Sequence, residues 1–166
     1  MSVKIVVDSA SEFSYEEAKA LGLYFCPLSV SFGDTEYRDS IDIDNKTFYE
    51  MLEASKDLPK TSQVGPFAFQ EAFEEIVENG HTALAITLSS KLSGTYSSAR
   101  LAAQPFPGKV FLVDSLSATI GEKILILYAL ELTKTIDDPE EIVKRLEEKR
   151  EKIGICYLLD TLEYLH

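Results

Sequence analysis

Tryptophan is absent from the 166 residues, and histidine and cysteine occur only twice each. Each shortage excludes something. With His81 the sole internal histidine and His166 at the end of the sequence, a Ser/His/Asp triad has almost no base to use. His81 follows Gly80 and reads as the residue that closes a helix. Cys26 and Cys156 have no paired spacing, so neither a disulfide framework nor a zinc site is supported. Cys26 lies in an apolar stretch and reads as an inert core thiol. Two lone thiols imply a reducing compartment. Positive charge is also scarce: 16 Lys and Arg stand against 28 Asp and Glu, a formal net charge of −12. That balance argues against nucleic-acid partners and against a polybasic membrane-docking patch. The opening apolar run is too short for a signal peptide or a membrane span. A cytoplasmic location with no integral membrane segment is the expectation. Neither G-x-x-x-x-G-K-[ST] nor G-x-G-x-x-G occurs, so no nucleotide site or cofactor is called for.

What is present is an alternation of short β-rich runs and amphipathic helices. Val3–Val7 reads as a buried strand of the parallel-sheet kind. Ser14 with Glu17 three residues later is a capping-box pattern, predicting a helix that stops at Gly22. Leu23–Phe32 reads as a strand, turning at Gly33-Asp34 into Thr35–Arg38. Asp44 is placed to cap a helix reaching Ser55. Lys60–Pro66 reads as a polar loop. Phe69, Ala72, Phe73, Ile76 and Val77 follow the i, i+3, i+4, i+7, i+8 stripe of a helix ending near Gly80. Thr82–Leu88 is a strand, and Ser89–Thr95 is a Ser/Gly-rich turn feeding a helix to Ala103. Gly108–Val113 is a strand and Ser117–Thr133 an apolar helix. Asp138-Pro139-Glu140-Glu141 begins a helix running to about Lys152. Ile153–Leu158 reads as a last strand, with a helix starting beyond it. The pattern predicts an α/β fold, a mostly parallel sheet with helices on both faces. A strand opened so late has little left to pair with, so the expectation is a domain over 1–152 and the start of a second over 153–166. The remainder would be missing or supplied by another chain.

Open parallel sheets bind ligands at the carboxyl ends of their strands. Two such loops are rich in hydroxyls, Thr61-Ser62-Gln63 and Leu88–Arg100. The second opens a helix, whose N-terminus offers unpaired N–H groups and the positive end of a dipole. Ser93 and Thr95 add hydroxyl donors, and Gly94 permits close backbone approach. An anion such as a carboxylate suits that arrangement. A plainer reading makes Ser93 only a helix cap. Asp8, after the first strand, reads as a structural loop residue that supports a pocket. The pairs Asp42/Asp44 and Asp137/Asp138 read as turns and caps. Ser117–Thr133 is apolar nearly all round, which fits either a deeply buried helix or the wall of a tunnel.

Several motifs then fall together. Lys4–Glu12, Pro27–Val30, Tyr37-Arg38-Asp39, Thr61-Ser62-Gln63, Leu88–Tyr96, Val113-Asp114-Ser115 with Gly121, and Asp160–Leu165 resemble the DegV family, in order, over essentially the whole chain. The resemblance implies a fatty-acid-binding protein of the bacterial fatty acid kinase system, a carrier and not an enzyme. Such a carrier presents the carboxyl head of a long-chain fatty acid, palmitate for example, to a separate ATP-dependent kinase. By motif, the carboxylate holders are Thr61 and Ser93, with Ser62, Gly94, Thr95, Asp8 and Ser115 as supporting residues. The sequence departs from the family at Glu122-Lys123, near which a second glycine is common. The family also continues into a second domain that closes the tunnel. Two other readings stand beside this one: a serine-dependent acyl hydrolase with Ser93 as nucleophile, and a truncated scaffold that binds nothing.

Overall fold

In the computed structural model, residues 2–156 and 158 are described. Four strands form a parallel sheet in the order β2-β1-β6-β7, with β1 Val3–Asp8, β2 Tyr24–Cys26, β6 Thr82–Thr87 and β7 Val110–Asp114. β6 is buried at all six positions, as expected of a strand covered on both faces. Helices α1 (Tyr15–Ala20), α5 (Ile120–Leu132) and α6 (Pro139–Arg150) cover one face. There Ile5, Val7, Leu84, Ile86, Leu125, Ile126, Ile142 and Leu146 form one core. Helices α3 (Pro66–Glu78) and α4 (Thr95–Ala103) cover the other face, where Val6, Ala83, Ala85, Phe69, Phe73 and Ile76 form the second core.

Between β2 and α3 the chain makes a separate small unit. Strands β3 (Ser29–Phe32), β4 (Thr35–Arg38) and β5 (Lys60–Ser62) form an antiparallel sheet in the order β4-β3-β5, and α2 (Asn45–Ala54) runs between β4 and β5. α2 buries none of its residues. Phe32, Phe48 and Tyr49 form an edge-to-face aromatic chain along it.

Most expected elements are present. The capping box forms as read: Ser14 Oγ accepts the Glu17 N–H and Glu17 Oε2 accepts the Ser14 N–H. Asp44 and Asp138 cap α2 and α6. Phe69, Phe73 and Ile76 are the buried stripe of α3. Four expectations are corrected. Leu23–Phe32 is two strands, because Pro27 has no N–H to continue a ladder, and the halves join different sheets. Lys60–Ser62 is a strand paired with β3, although all three residues are exposed. α5 begins at Ile120 and not at Ser117, since Leu116 and Thr119 adopt positive φ. Ile153–Cys156 forms no strand, having no neighbouring strand among the described residues to pair with. Tyr157 and residues 159–166 lie outside the described residues, and with them the helix expected at the end.

α5 is neither wholly buried nor polar on its outer side. Leu125, Ile126, Ala129 and Leu132 face the core, whereas Ile120, Ile124 and Leu127 are 56%, 40% and 44% exposed. An apolar stripe therefore lies open on the surface.

Candidate functional site

The strand order reverses at β1 and β6, which both lie inside the sheet and lead to helices on opposite faces. Ligands of open α/β sheets bind at such switch points, outside the carboxyl ends of the strands. Here those ends are cross-linked. The Asp8 carboxylate accepts the Ala10 N–H at 3.0 Å and the Leu88 N–H at 2.8 Å. Asp8 is fully buried, and its role is to join the turn after β1 to the turn after β6. Burial pushes its carboxyl up to about 7, against the lowering effect of the two N–H bonds and with a further push from Asp39.

From Leu88 the chain makes a compact turn in which the Leu92 and Ser93 N–H groups both donate to the Ser89 carbonyl. This turn delivers Ser93 to the N-terminus of α4. Ser93 Oγ accepts the Thr95 N–H at 3.2 Å and lies 3.0 Å from Thr95 Oγ1. Gly94 and not Ser93 is the N-cap residue of α4, which has no side-chain cap, so the plain helix-cap reading of Ser93 is corrected, and the Ser93 side chain remains partly open. The first N–H groups of α4 have no acceptor within the helix, and they point the positive dipole end toward the same opening.

The second hydroxyl loop comes to meet the first. The Val64 N–H donates to Thr95 Oγ1 at 3.3 Å, and Gln63 Nε2 donates to Ser98 Oγ at 3.0 Å. The Gln63 carboxamide lies over Gly94. A Cβ built on that glycine would fall 2.7 Å from Gln63 Cδ, so Gly94 serves to admit this side chain. β5 therefore docks against the start of α4. Thr61 pairs with Val30 of β3, and paired residues share a face. Val30 is buried, so Thr61 projects from the inner side of the small sheet and Ser62 from the other. Both residues are exposed, and neither hydroxyl bonds to another described residue.

Ser115 is placed differently. Its hydroxyl donates to the Ser117 carbonyl and accepts the Ser117 N–H, which shapes the turn between β7 and α5. Beside that turn runs a cleft of about 460 Å³ lined by Ser89, Leu92, Ser115, Leu116, Ile153 and Ile155 among others. Its volume lies within the roughly 300–1,000 Å³ usual for small-molecule sites. Leu92, next to Ser93 in the turn, is 70% exposed. Arg150 at the end of α6 donates to the Asp114 carbonyl at 2.7 Å, which fixes the far wall.

One residue of this region escaped assignment from sequence. Glu122 is fully buried at the start of α5, and neither carboxylate oxygen has a hydrogen-bond partner among the described residues. Burial, then the charges of Asp8 and Asp114, hold its carboxyl well above the usual range. The sequence signal was its place just beyond Gly121, where the resemblance leads one to expect a second glycine. The other candidates are structural. Cys26 is buried, with its thiol 3.7 Å from the Ala68 carbonyl and raised to about 12 by burial. His81 contacts Ser2 Oγ at the amino end of β6. Among the described residues no helix is long and apolar enough to cross a membrane.

The fold defines an α/β domain with four parallel strands, helices on both faces and a hydroxyl-bearing turn at the switch point. The chain belongs to the DegV family, whose family model, described as "Uncharacterised protein, DegV family", matches residues 2–166. A DegV domain-containing protein of Deinococcus radiodurans is 36% identical over 165 residues, covering 99% of this chain and 59% of that protein. A DegV family protein of Thermus thermophilus, described as binding fatty acid, superposes with a TM-score of 0.83 at 34% identity, over 91% of this chain and 54% of that one. A stearic acid-binding protein of Eubacterium ventriosum gives a TM-score of 0.78 at 30% identity, over 87% and 52%. The chain thus spans just over half the length of these relatives.

Proposed function

We propose that this chain holds a long-chain fatty acid by its carboxylate and presents it for lipid metabolism. The recipient, a separate ATP-dependent fatty acid kinase, comes from the motif resemblance. Residues 1–152 form the binding domain in this reading, and 153–166 open a second one. The observation that carries the proposal is the placement of the Ser93 hydroxyl. It stands at the N-terminus of α4, beside a strand whose Thr61 hydroxyl is unbonded among the described residues. Two hydroxyl donors and a helix terminus suit an ionised carboxylate without a salt bridge. Gly94 admits Gln63, while Thr95, Asp8 and Ser115 shape the turns from beneath. The acyl tail is assigned to the apolar side of the neighbouring cleft, at Leu92, Leu116, Ile153 and Ile155, where each buried CH₂ contributes about 0.8 kcal/mol. The family likeness to fatty-acid-binding proteins supports this assignment.

A holding role fits Ser93 better than a hydrolytic one. At about 3.3 Å per residue, β6 puts about 20 Å between His81 and the Ser93 turn, and the hydrogen-bonding side-chain partner of Ser93 is Thr95. Titration with palmitate and with methyl palmitate tests the proposal. The acid is expected to bind at least about tenfold more tightly, and Thr61→Ala and Ser93→Ala to lose about tenfold each in acid affinity. Equal affinity for acid and ester overturns the assignment.

A further inference from the structure

Two hydroxyls and two backbone N–H groups form a directed chain at the site. The Val64 N–H donates to Thr95 Oγ1, Thr95 Oγ1 lies 3.0 Å from Ser93 Oγ, and Ser93 Oγ also accepts the Thr95 N–H. A hydroxyl has one proton to give and two lone pairs to receive. Thr95 is fully buried, so its proton requires an acceptor inside the protein. Among the described residues that acceptor is Ser93 Oγ, since the other neighbour of Thr95 Oγ1, the Val64 N–H, is itself a donor. If Ser93 gave its proton to Thr95 instead, the Thr95 proton would be buried without a partner. In the favoured direction Ser93 Oγ receives two protons, and its own proton has no acceptor left except outward.

We infer that Thr95 is a positioning residue that fixes Ser93 as a hydrogen-bond donor toward the site, making the site selective for a head group that only accepts, an ionised carboxylate. This inference rests on the fatty-acid reading above and adds to it the origin of head-group selectivity. The direction of the chain is set from the opposite loop, because the Val64 N–H can only donate to Thr95 Oγ1, which leaves Ser93 Oγ as the acceptor for the Thr95 proton. Docking of β5 and polarity of Ser93 are one arrangement, with the Gln63 carboxamide bonded to Ser98 holding the two loops in register.

The test is the ratio of palmitamide to palmitate dissociation constants in three proteins, since the amide N–H groups must donate whereas the carboxylate only accepts. In the wild-type chain the ratio is expected to be about tenfold or more. Thr95→Val, which keeps the shape and removes the hydroxyl, is expected to lower the ratio severalfold, because Ser93 Oγ no longer receives the Thr95 proton and has a free lone pair that can accept an amide N–H. Thr95→Ser is expected to restore the wild-type ratio. A wild-type ratio near one sinks the fatty-acid reading itself. A normal wild-type ratio retained in folded Thr95→Val, or lost in folded Thr95→Ser, overturns the role of Thr95 alone. Should Thr95→Val fail to fold, neutron diffraction from wild-type crystals decides: a Ser93 hydroxyl deuterium directed away from Thr95 supports the inference, and one directed at Thr95 Oγ1 overturns it.

Discussion

The Asp8 carboxylate accepts the Leu88 N–H at 2.8 Å, joining two residues 80 positions apart at the carboxyl ends of adjacent strands. This bond lies directly beneath the turn that carries Ser93. It also makes stability depend on pH. Folded Asp8 keeps its proton up to about 7, whereas the unfolded chain releases it near 3.8. Between these values the folded state binds more protons, so stability falls as pH rises, with a slope of at most about 1.4 kcal/mol per pH unit for one such proton. Asp42, lowered to about 2 by Arg38, works in the opposite sense below pH 4. Urea midpoints should therefore be highest near pH 4 and decline as pH rises through about 7. A midpoint that rises from pH 5 to pH 8 would contradict this.

Glu122 should contribute to the same decline. Its carboxyl is buried beside Asp8 and Asp114 with both oxygens unpaired. A buried unsatisfied polar group costs about 1–3 kcal/mol. Glu122→Leu is expected to stabilise the protein by about that amount at pH 8, and Glu122→Gln to stabilise it at pH 8 but little at pH 5. Chemical denaturation at the two pH values reads both effects. Destabilisation by the leucine at pH 8 would show that the carboxyl has a partner in solution.

Gly94→Ala separates positioning from stability. The backbone there, at φ −75° and ψ 1°, accepts any residue, but the new Cβ would displace the Gln63 carboxamide. Gln63 is exposed and flexible, so the loss of stability should stay below about 1 kcal/mol. Acid affinity should fall severalfold as β5 is pushed from α4. Unchanged palmitate affinity in isothermal titration would mean that the two loops need not be held together.

Thr61→Ala and Ser93→Ala should differ in the ligand-free protein. Thr61 is exposed and unbonded among the described residues, so its loss should change the melting temperature little. Ser93 Oγ bonds both the N–H and the hydroxyl of buried Thr95, and leaving a buried polar group without its partner costs about 1–3 kcal/mol. Differential scanning calorimetry without lipid checks the contrast. A larger shift for Thr61 than for Ser93 would reverse the assignment of which hydroxyl supports the fold.

How far the structure was legible depends on whether a signal was local. The Ser14–Glu17 box, the Phe69-Phe73-Ile76 stripe and the Asp138 cap act within one turn or one helix face, and all three are present as read. β5 was not legible, because three exposed polar residues carry no alternation and owe their strand to β3. The start of α5 was misplaced because positive φ at Leu116 and Thr119 leaves no composition signal in non-glycine residues. For the site, the residue types of both hydroxyl loops were visible. Their meeting through Val64–Thr95 and Gln63–Ser98 spans more than thirty positions, and only tertiary structure creates it. The burial of Glu122 was hidden for a related reason, since a charge in an apolar helix is ordinarily expected on its wet side.

The strand order also constrains biosynthesis. β1 is made before β2 and β6 but sits between them. A nascent chain leaving the ribosome carries Ile5, Val6 and Val7 with one edge unpaired until residue 87 has emerged. Pairing over that separation is slow compared with local hairpin formation, so a bare sticky edge exists during synthesis. The antiparallel unit of β3, β4, α2 and β5 is complete in sequence before β6 appears, and can form while the main sheet still waits for its third strand.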